Sequence, residues 1–148
     1  MMQDRQIVLT RLMAAPLAMV WRCWTDPEIL PLWFGPEGYH CITKEIDLRE
    51  GGQWQFDMIG PEGKVWVNRH RYTLWLPEKR LEFLMDDGDD ADVPMRVVVE
   101  LTAEAGGTRI TQTMTFPTVA HCQAARDFGA ERLGLTTLAK LEAMALSQ

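Results

Sequence analysis

The hydrophobic pattern at the start of the chain predicts one strand followed by two short helices. Residues 6–13 are rich in β-branched and large apolar side chains, and Pro16 follows them, which favours a strand and then a break. Apolar side chains recur at helical spacing over residues 17–24. Asp26 and Pro27 then supply an N-cap and a first-turn proline for the second short helix.

The middle of the chain alternates between strand-like segments and turns. The segments that we interpret as strands lie near residues 40–48, 52–59, 64–76, 80–86, 94–102 and 108–116. Most of their separators are short and rich in Gly or Pro, which is typical of antiparallel hairpins. The acidic stretch at residues 86–92 predicts one longer loop. We therefore expect an antiparallel meander.

From Val119 the pattern becomes helical again and stays so almost to the end of the chain. Its apolar stripe consists of Cys122, Ala125, Phe128, Leu135, Leu138, Leu141 and Met144. One long helix with such a stripe needs a partner, and the sheet is the only surface large enough. The order of elements predicts an α+β fold, with six to seven antiparallel strands curved around this helix. A chain of 148 residues, 47% of them hydrophobic, fits one domain over residues 1–148.

Strand alternation indicates which side chains face the helix. Trp54, Phe56 and Met58 share one side of their strand, and polar residues occupy the other side. Such a broad inner surface, rich in Trp and Met, either fills a core or lines a ligand pocket.

Polar groups interrupt the apolar parity of two strands. Asn68 and His70 share a face with apolar neighbours on one strand, and Gln112 does so on another. If they face inward, they contact a ligand or a trapped water, because an unsatisfied buried polar group costs about 1–3 kcal/mol. Alternatively, they pair with one another or with the backbone, or a bulge has shifted the register.

The inward polar groups keep a ligand pocket on this inner face as a hypothesis. His70 could act as an acid or base there, but a single histidine without a mapped partner defines no catalytic set. Trp75, on the outward parity of its strand, is a candidate dimer contact, so we expect a monomer or a homodimer.

The net charge of −6 is largely one local feature, because five of the acidic residues lie within residues 86–92. The chain has no excess of Lys and Arg side chains to neutralise the phosphates of a nucleic acid, so we expect no nucleic-acid partner. No apolar run approaches the ~18 residues of a membrane span, and no signal peptide is visible, which favours a cytoplasmic protein. The histidines, cysteines and glycines match no metal, nucleophile or phosphate motif, so we expect no metal and no cofactor.

Several strings resemble the activator of heat-shock-protein-90 ATPase homologue family. They are Trp24-Thr25-Asp26-Pro27-Glu28, Leu32-Trp33-Phe34-Gly35-Pro36, Asp47-Leu48-Arg49-Glu50-Gly51-Gly52, Pro77-Glu78-Lys79-Arg80-Leu81 and Thr115-Phe116-Pro117-Thr118. The resemblance covers nearly the whole chain. It implies the helix-grip fold of the START-like (SRPBCC) superfamily, with a hydrophobic cavity between the sheet and the C-terminal helix, and it carries over no catalytic residues. Together with the inward pattern of the strands, the resemblance implies that this cavity is lined by Trp33, Trp54, Phe56, Trp66, Asn68, His70, Phe83, Met95, Gln112, Met114, Phe128 and Leu135.

The resemblance also contains two departures. His70 stands where many relatives have a glycine, and Gly134 stands about where many have a tryptophan. We expect this exchange to move the void toward the helix, beside Gly134. Alternatively, Gly134 lets the helix approach the sheet closely.

The sequence leaves three functions open. The first is a binding protein for a small hydrophobic molecule such as a lipid, an isoprenoid or an aromatic metabolite. The second is an interaction module related to chaperone co-factors and the stress response. The third is an enzyme of the polyketide-cyclase or aromatase type, with His70 moving a proton. The pattern favours binding over catalysis.

Overall fold

The structure is a computed structural model that describes residues 2–148. After a 3-10 turn at Met2–Arg5, the elements are β1 (Gln6–Met13), α1 (Leu17–Thr25), α2 (Leu30–Trp33), β2 (His40–Ile46), β3 (Gln53–Ile59), β4 (Val65–Leu76), β5 (Arg80–Asp86), β6 (Met95–Glu104), β7 (Gly107–Thr115), α3 (Val119–Phe128) and α4 (Ala130–Leu146). The order confirms the α+β class and the two short helices after the first strand. Within residues 2–148, no helix is long and apolar enough to cross a membrane.

The seven strands form one antiparallel sheet in the order β1-β7-β6-β5-β4-β3-β2. The sheet is not closed, because β1 and β2 are its edges. The register aligns Trp54, His70, Met85 and Met95 in one row across four strands. We call the face that carries this row the inner face. The helices lie against it, with α1 near β6 and β7 and α4 near β1.

The C-terminal helical region consists of two helices, whereas the pattern predicts one. Gly129 separates α3 from α4 and adopts a φ of +95°, a left-handed conformation that glycine adopts without a Cβ penalty. Its N–H donates to the carbonyl of Arg126 at 3.0 Å. Apolar positions continue on both sides of this single residue, so the periodicity alone does not show the break.

A bulge in β4 changes the face on which Trp75 lies. The register shifts between Tyr72 and Leu74, after which Trp75 is opposite Leu81 on the inner face. The Trp75 ring packs edge-on against Trp21, 5.8 Å between centroids, and against Tyr72 at 5.4 Å. The expectation of an outward dimer contact at Trp75 is therefore wrong, because strict alternation fails at a bulge.

The helix α4 meets β1 directly at Gly134. A Cβ placed on this glycine would lie 2.4 Å from Leu9 Cδ1, well inside van der Waals contact. Leu9 is only 4% exposed, so it is held in the core. The expected void beside Gly134 is wrong, and the alternative of a close helix–sheet approach is confirmed.

This approach predicts that Gly134→Leu destabilises the protein. Overpacking lowers the free energy of unfolding by about 1–3 kcal/mol, and replacing a helical glycine raises it by about 0.8 kcal/mol. We therefore expect urea unfolding to show a net decrease in this free energy of about 2 kcal/mol or less. Ala143→Leu, at an exposed position of the same helix, serves as the control. In a Leu9→Ala background the cost of Gly134→Leu should shrink. An equal cost in both backgrounds would contradict the contact.

Candidate ligand pocket at one end of the inner face

One half of the inner face is filled by aromatic side chains. Five of the expected cavity residues lie there, each at most 1% exposed: Trp33, Trp54, Phe56, His70 and Phe83. Trp54 stacks on Phe56 with ring centroids 3.7 Å apart. The Trp33 indole Nε1 donates to the Cys23 carbonyl at 2.9 Å. Trp54, Phe56, His70 and Phe83 line neither of the pockets described for residues 2–148, whereas Trp33, on α2, lines a smaller pocket of about 300 Å³ beside α4.

His70 lies at the centre of this aromatic cluster. Its ring stacks on Phe83 at 4.4 Å, and it meets Phe34 and Trp54 edge-on at 5.0 and 5.3 Å. Its Nε2 is buried and has no hydrogen-bond partner. Burial lowers the pKa of His70 from 6.5 to about 3, so the ring is neutral near pH 7. His70 is the cross-strand partner of Met85 but is not among the residues that line the pocket described below.

The segment 34–39 closes over the aromatic cluster and is fastened to α4. The Lys140 ammonium donates to the carbonyls of Gly35, Pro36 and Tyr39 at 3.0, 3.3 and 3.4 Å. The Glu37 N–H donates to Thr136 Oγ1 at 3.0 Å. These bonds attach the loop backbone to α4, and the Pro36 carbonyl also accepts a hydrogen bond from the Tyr39 N–H at 3.0 Å.

The other end of the inner face is open. A pocket of about 800 Å³ lies there, open to solvent at one side. Its lining residues are Trp66, Val67, Asn68, Met85, Asp86, Asp87, Ala91, Asp92, Val93, Met95, Phe116, Pro117, Thr118 and His121. They come from β4, β5, the 87–94 loop, the start of β6, the segment 116–118 between β7 and α3, and the first turn of α3. The volume is in the range of small-molecule sites, roughly 300–1,000 Å³.

The floor of the pocket is apolar. Met85 and Met95 are direct cross-strand partners on the inner face, and Trp66 and Phe116 also line the pocket. All four side chains are only partly covered by protein. Thioethers and aromatic rings on a partly open floor adapt to apolar ligands of different shape.

The acidic loop forms one wall, and Asp86 anchors it. The Asp86 side chain is 3% exposed and accepts two hydrogen bonds from Arg69, at 2.8 and 2.9 Å, and one from Arg71 at 2.9 Å. The Gly88 N–H donates to the same carboxylate at 2.9 Å. Burial by itself would raise the pKa of Asp86, but the bonds from Arg69, Gly88 and Arg71 outweigh it and lower the pKa.

The opposite wall begins α3. Thr118 caps this helix, because its Oγ1 accepts a hydrogen bond from the His121 N–H at 3.0 Å. The same Oγ1 lies 2.8 Å from His121 Nδ1, which fixes the imidazole beside the pocket. The Arg5 guanidinium donates to the carbonyls of Phe116 and Pro117 at 3.4 and 3.3 Å, behind this wall.

The remaining expected cavity residues divide into two groups. Trp66, Asn68 and Met95 line the pocket, and the Phe128 ring lies 5.9 Å from the Trp66 ring. Gln112 and Met114 are half-buried farther along the inner face, and Leu135 is 44% exposed. Asn68 donates to the Trp66 carbonyl at 3.0 Å, so its amide has the backbone partner that was one of the alternatives.

The sequence reasoning missed the loop and the helix start. The pocket residues it did not name are Val67, Met85, Asp86, Asp87, Ala91, Asp92, Val93, Phe116, Pro117, Thr118 and His121. A signal for part of them was present, since Met85 and Met95 flank the acidic stretch on the same strand parity. A loop that connects two inward-facing methionines must border the surface they form.

Comparisons with known proteins match this architecture. Residues 14–145 match the family model described as Activator of Hsp90 ATPase homolog 1-like protein. A solved structure from Nitrosomonas europaea is 29% identical, with a TM-score of 0.84, and the match covers 97% of this chain and 96% of that one. An AHSA1-like protein from Aeromonas hydrophila is 25% identical, with a TM-score of 0.74 and coverage of 95% and 94%.

A further structure shares the fold alone. A protein from Mycobacterium smegmatis is 24% identical, with a TM-score of 0.86, and the match covers 99% of this chain and 94% of that one. No match was found among the curated proteins.

Proposed function

Because the chain belongs to the family of Activator of Hsp90 ATPase homolog 1-like proteins, we propose that it is a single-domain protein that binds one small hydrophobic molecule. The proposed site is the pocket at the open end of the inner face. The observation that carries this proposal is the floor of Trp66, Met85, Met95 and Phe116, which lies beneath about 800 Å³ of open space. The volume exceeds what a few ordered waters would occupy, and an apolar floor holds water poorly.

Binding to the floor is tested with the neutral fluorescent dye Nile red. Met85→Gln/Met95→Gln keeps the length of both side chains but makes the floor polar, so we expect the dissociation constant to rise roughly tenfold. Met58→Gln changes a half-buried methionine of the same face that does not line the pocket, and it should leave the dye affinity unchanged. Equal dye affinity in wild type and the double variant would contradict the proposed site.

A second candidate function is a chaperone-associated module. The family match favours it, and so does an apolar group on the outer face near β2. Ile42, Val65 and Val67 are 53%, 52% and 49% exposed, and Ile42 and Val67 are both cross-strand partners of Asp57. The test is the ATPase rate of a heat-shock-protein-90 chaperone with and without this protein. An unchanged rate would exclude ATPase activation and leave ligand binding untouched.

A further inference from the structure

We infer that the pocket selects an organic cation, an amine or quaternary ammonium with an apolar or aromatic body, over a carboxylate of the same body. This inference rests on the proposed function, because it assigns the charge of the ligand that the pocket holds. Its basis is the pocket itself, which joins an apolar and aromatic floor to carboxylates that lack cationic partners.

The charges around the pocket are unbalanced. Asp87 and Asp92 line the pocket, and neither forms an ion pair with any of residues 2–148, whereas Asp86 and Asp90 are paired with Arg69. No lysine or arginine is among the described lining residues. A bound anion would therefore lie beside two exposed, unneutralised carboxylates, with no lining side chain of fixed positive charge to offset their repulsion.

Three positive features near the pocket do not reverse this balance. The Lys64 ammonium lies over the Trp66 ring, but Lys64 is not among the residues that line the pocket. The N-terminus of α3 carries about half a positive charge, and Thr118 already accepts from one of its N–H groups. Arg5 is committed to the carbonyls behind the wall and does not itself line the pocket. The two carboxylates together carry more charge than the Lys64 ammonium and the partial charge of the helix dipole combined.

The aromatic part of the floor contributes contact area more than charge preference, because one face of the Trp66 ring is already covered. The Lys64 ammonium lies 3.8 Å from the centroid of this ring, so the carboxylates, and not this ring face, would hold a bound ammonium. An ammonium ligand can thus contact the carboxylates with its head and the Met and Phe side chains with its apolar body.

The experiment compares three probes that share one aromatic body: 2-(1-naphthyl)ethylamine, 2-(1-naphthyl)ethanol and 1-naphthylacetate. Their dissociation constants are measured by displacement of Nile red and by direct calorimetry at low salt and at physiological salt. We expect the amine to bind roughly tenfold more tightly than the carboxylate, with the alcohol between them, and we expect the difference to shrink as salt is added.

Variants that neutralise Asp87 and Asp92 test whether these two carboxylates cause the preference for the amine over the carboxylate. Asp87→Asn/Asp92→Asn should weaken amine binding several-fold and bring the amine and carboxylate affinities together. The control Glu28→Gln/Glu78→Gln changes the net charge equally at exposed positions outside the pocket, and it should keep the amine preference. A preference that survives Asp87→Asn/Asp92→Asn, or that favours the carboxylate in wild type, would overturn the inference.

The outcomes separate the two proposals. Binding of Nile red and of the naphthyl alcohol without any amine preference overturns the charge inference and leaves the proposed function standing. Absence of binding by the dye and all three naphthyl probes overturns both.

Discussion

Replacing Asp86 with alanine should destabilise the protein by about 3–5 kcal/mol, measured by urea unfolding at pH 7. The side chains of Asp86 and Arg69 are 3% and 9% exposed, and the carboxylate receives hydrogen bonds from Arg69, Arg71 and Gly88. Removing it leaves the buried Arg69 guanidinium with Asp90 as its only ion-pair partner among residues 2–148, and the Asp90 side chain is 85% exposed. The poorer compensation of this buried charge accounts for most of the expected loss of stability.

The matched comparison replaces both partners. Arg69→Met/Asp86→Leu removes the buried charges together, so it should cost clearly less than Asp86→Ala alone. Asp89→Ala, at an exposed position of the same loop that forms no ion pair with any of residues 2–148, should cost less than about 1 kcal/mol. If Asp86→Ala and Asp89→Ala had similar effects, the anchoring of the acidic wall by Asp86 would be refuted.

The second large effect is a loss of stability at mildly acidic pH that originates from His70. Its pKa falls from 6.5 to about 3 on folding because the ring is desolvated, so the unfolded chain binds the proton more readily. The contribution is fully present above the unfolded pKa and is lost as the pH falls from 6.5 toward 3. We expect a decrease of about 2 kcal/mol between pH 7 and pH 5, and of about 4 kcal/mol by pH 3.

The variant His70→Phe isolates this effect. A phenyl ring fits among Phe34, Trp54 and Phe83 and removes the unpartnered Nε2, so the variant should be as stable as wild type or more stable at pH 7. Between pH 7 and pH 5 its stability should hardly change, because the carboxylates titrate mainly at lower pH. A wild-type stability that stays flat from pH 7 to pH 5 would contradict the burial of a neutral His70.

Much of the fold could be predicted because its signals are local. The strands of the meander follow from alternation and from turn residues, and the stripe of apolar residues after Val119 indicates the helices that cover the sheet. The failures have specific physical causes. At Trp75 one extra residue in β4 reverses the parity, and at Gly129 a single left-handed residue ends a helix without disturbing its apolar spacing.

The candidate site was predicted less well, because a pocket depends on what the helices leave uncovered. The inward direction of Trp54 and Trp66 follows from strand alternation, but the two side chains differ in how far they are buried. Trp54 is fully buried because the segment from α1 to β2 lies over it, whereas Trp66 faces open space. That difference is set by the path of the connecting segments, and strand periodicity carries no information on it.

The break at Gly129 separates α4, which packs against the core, from α3, which begins at the pocket. The helix α4 is locked to β1 through Gly134 and Leu9, whereas the start of α3 and the loop after β5 present mostly exposed residues to the pocket. Substitutions at exposed positions usually change stability by less than about 0.5 kcal/mol. Substitutions at Asp87, Asp92 and His121 should therefore change the lining of the proposed site while the core keeps its fold.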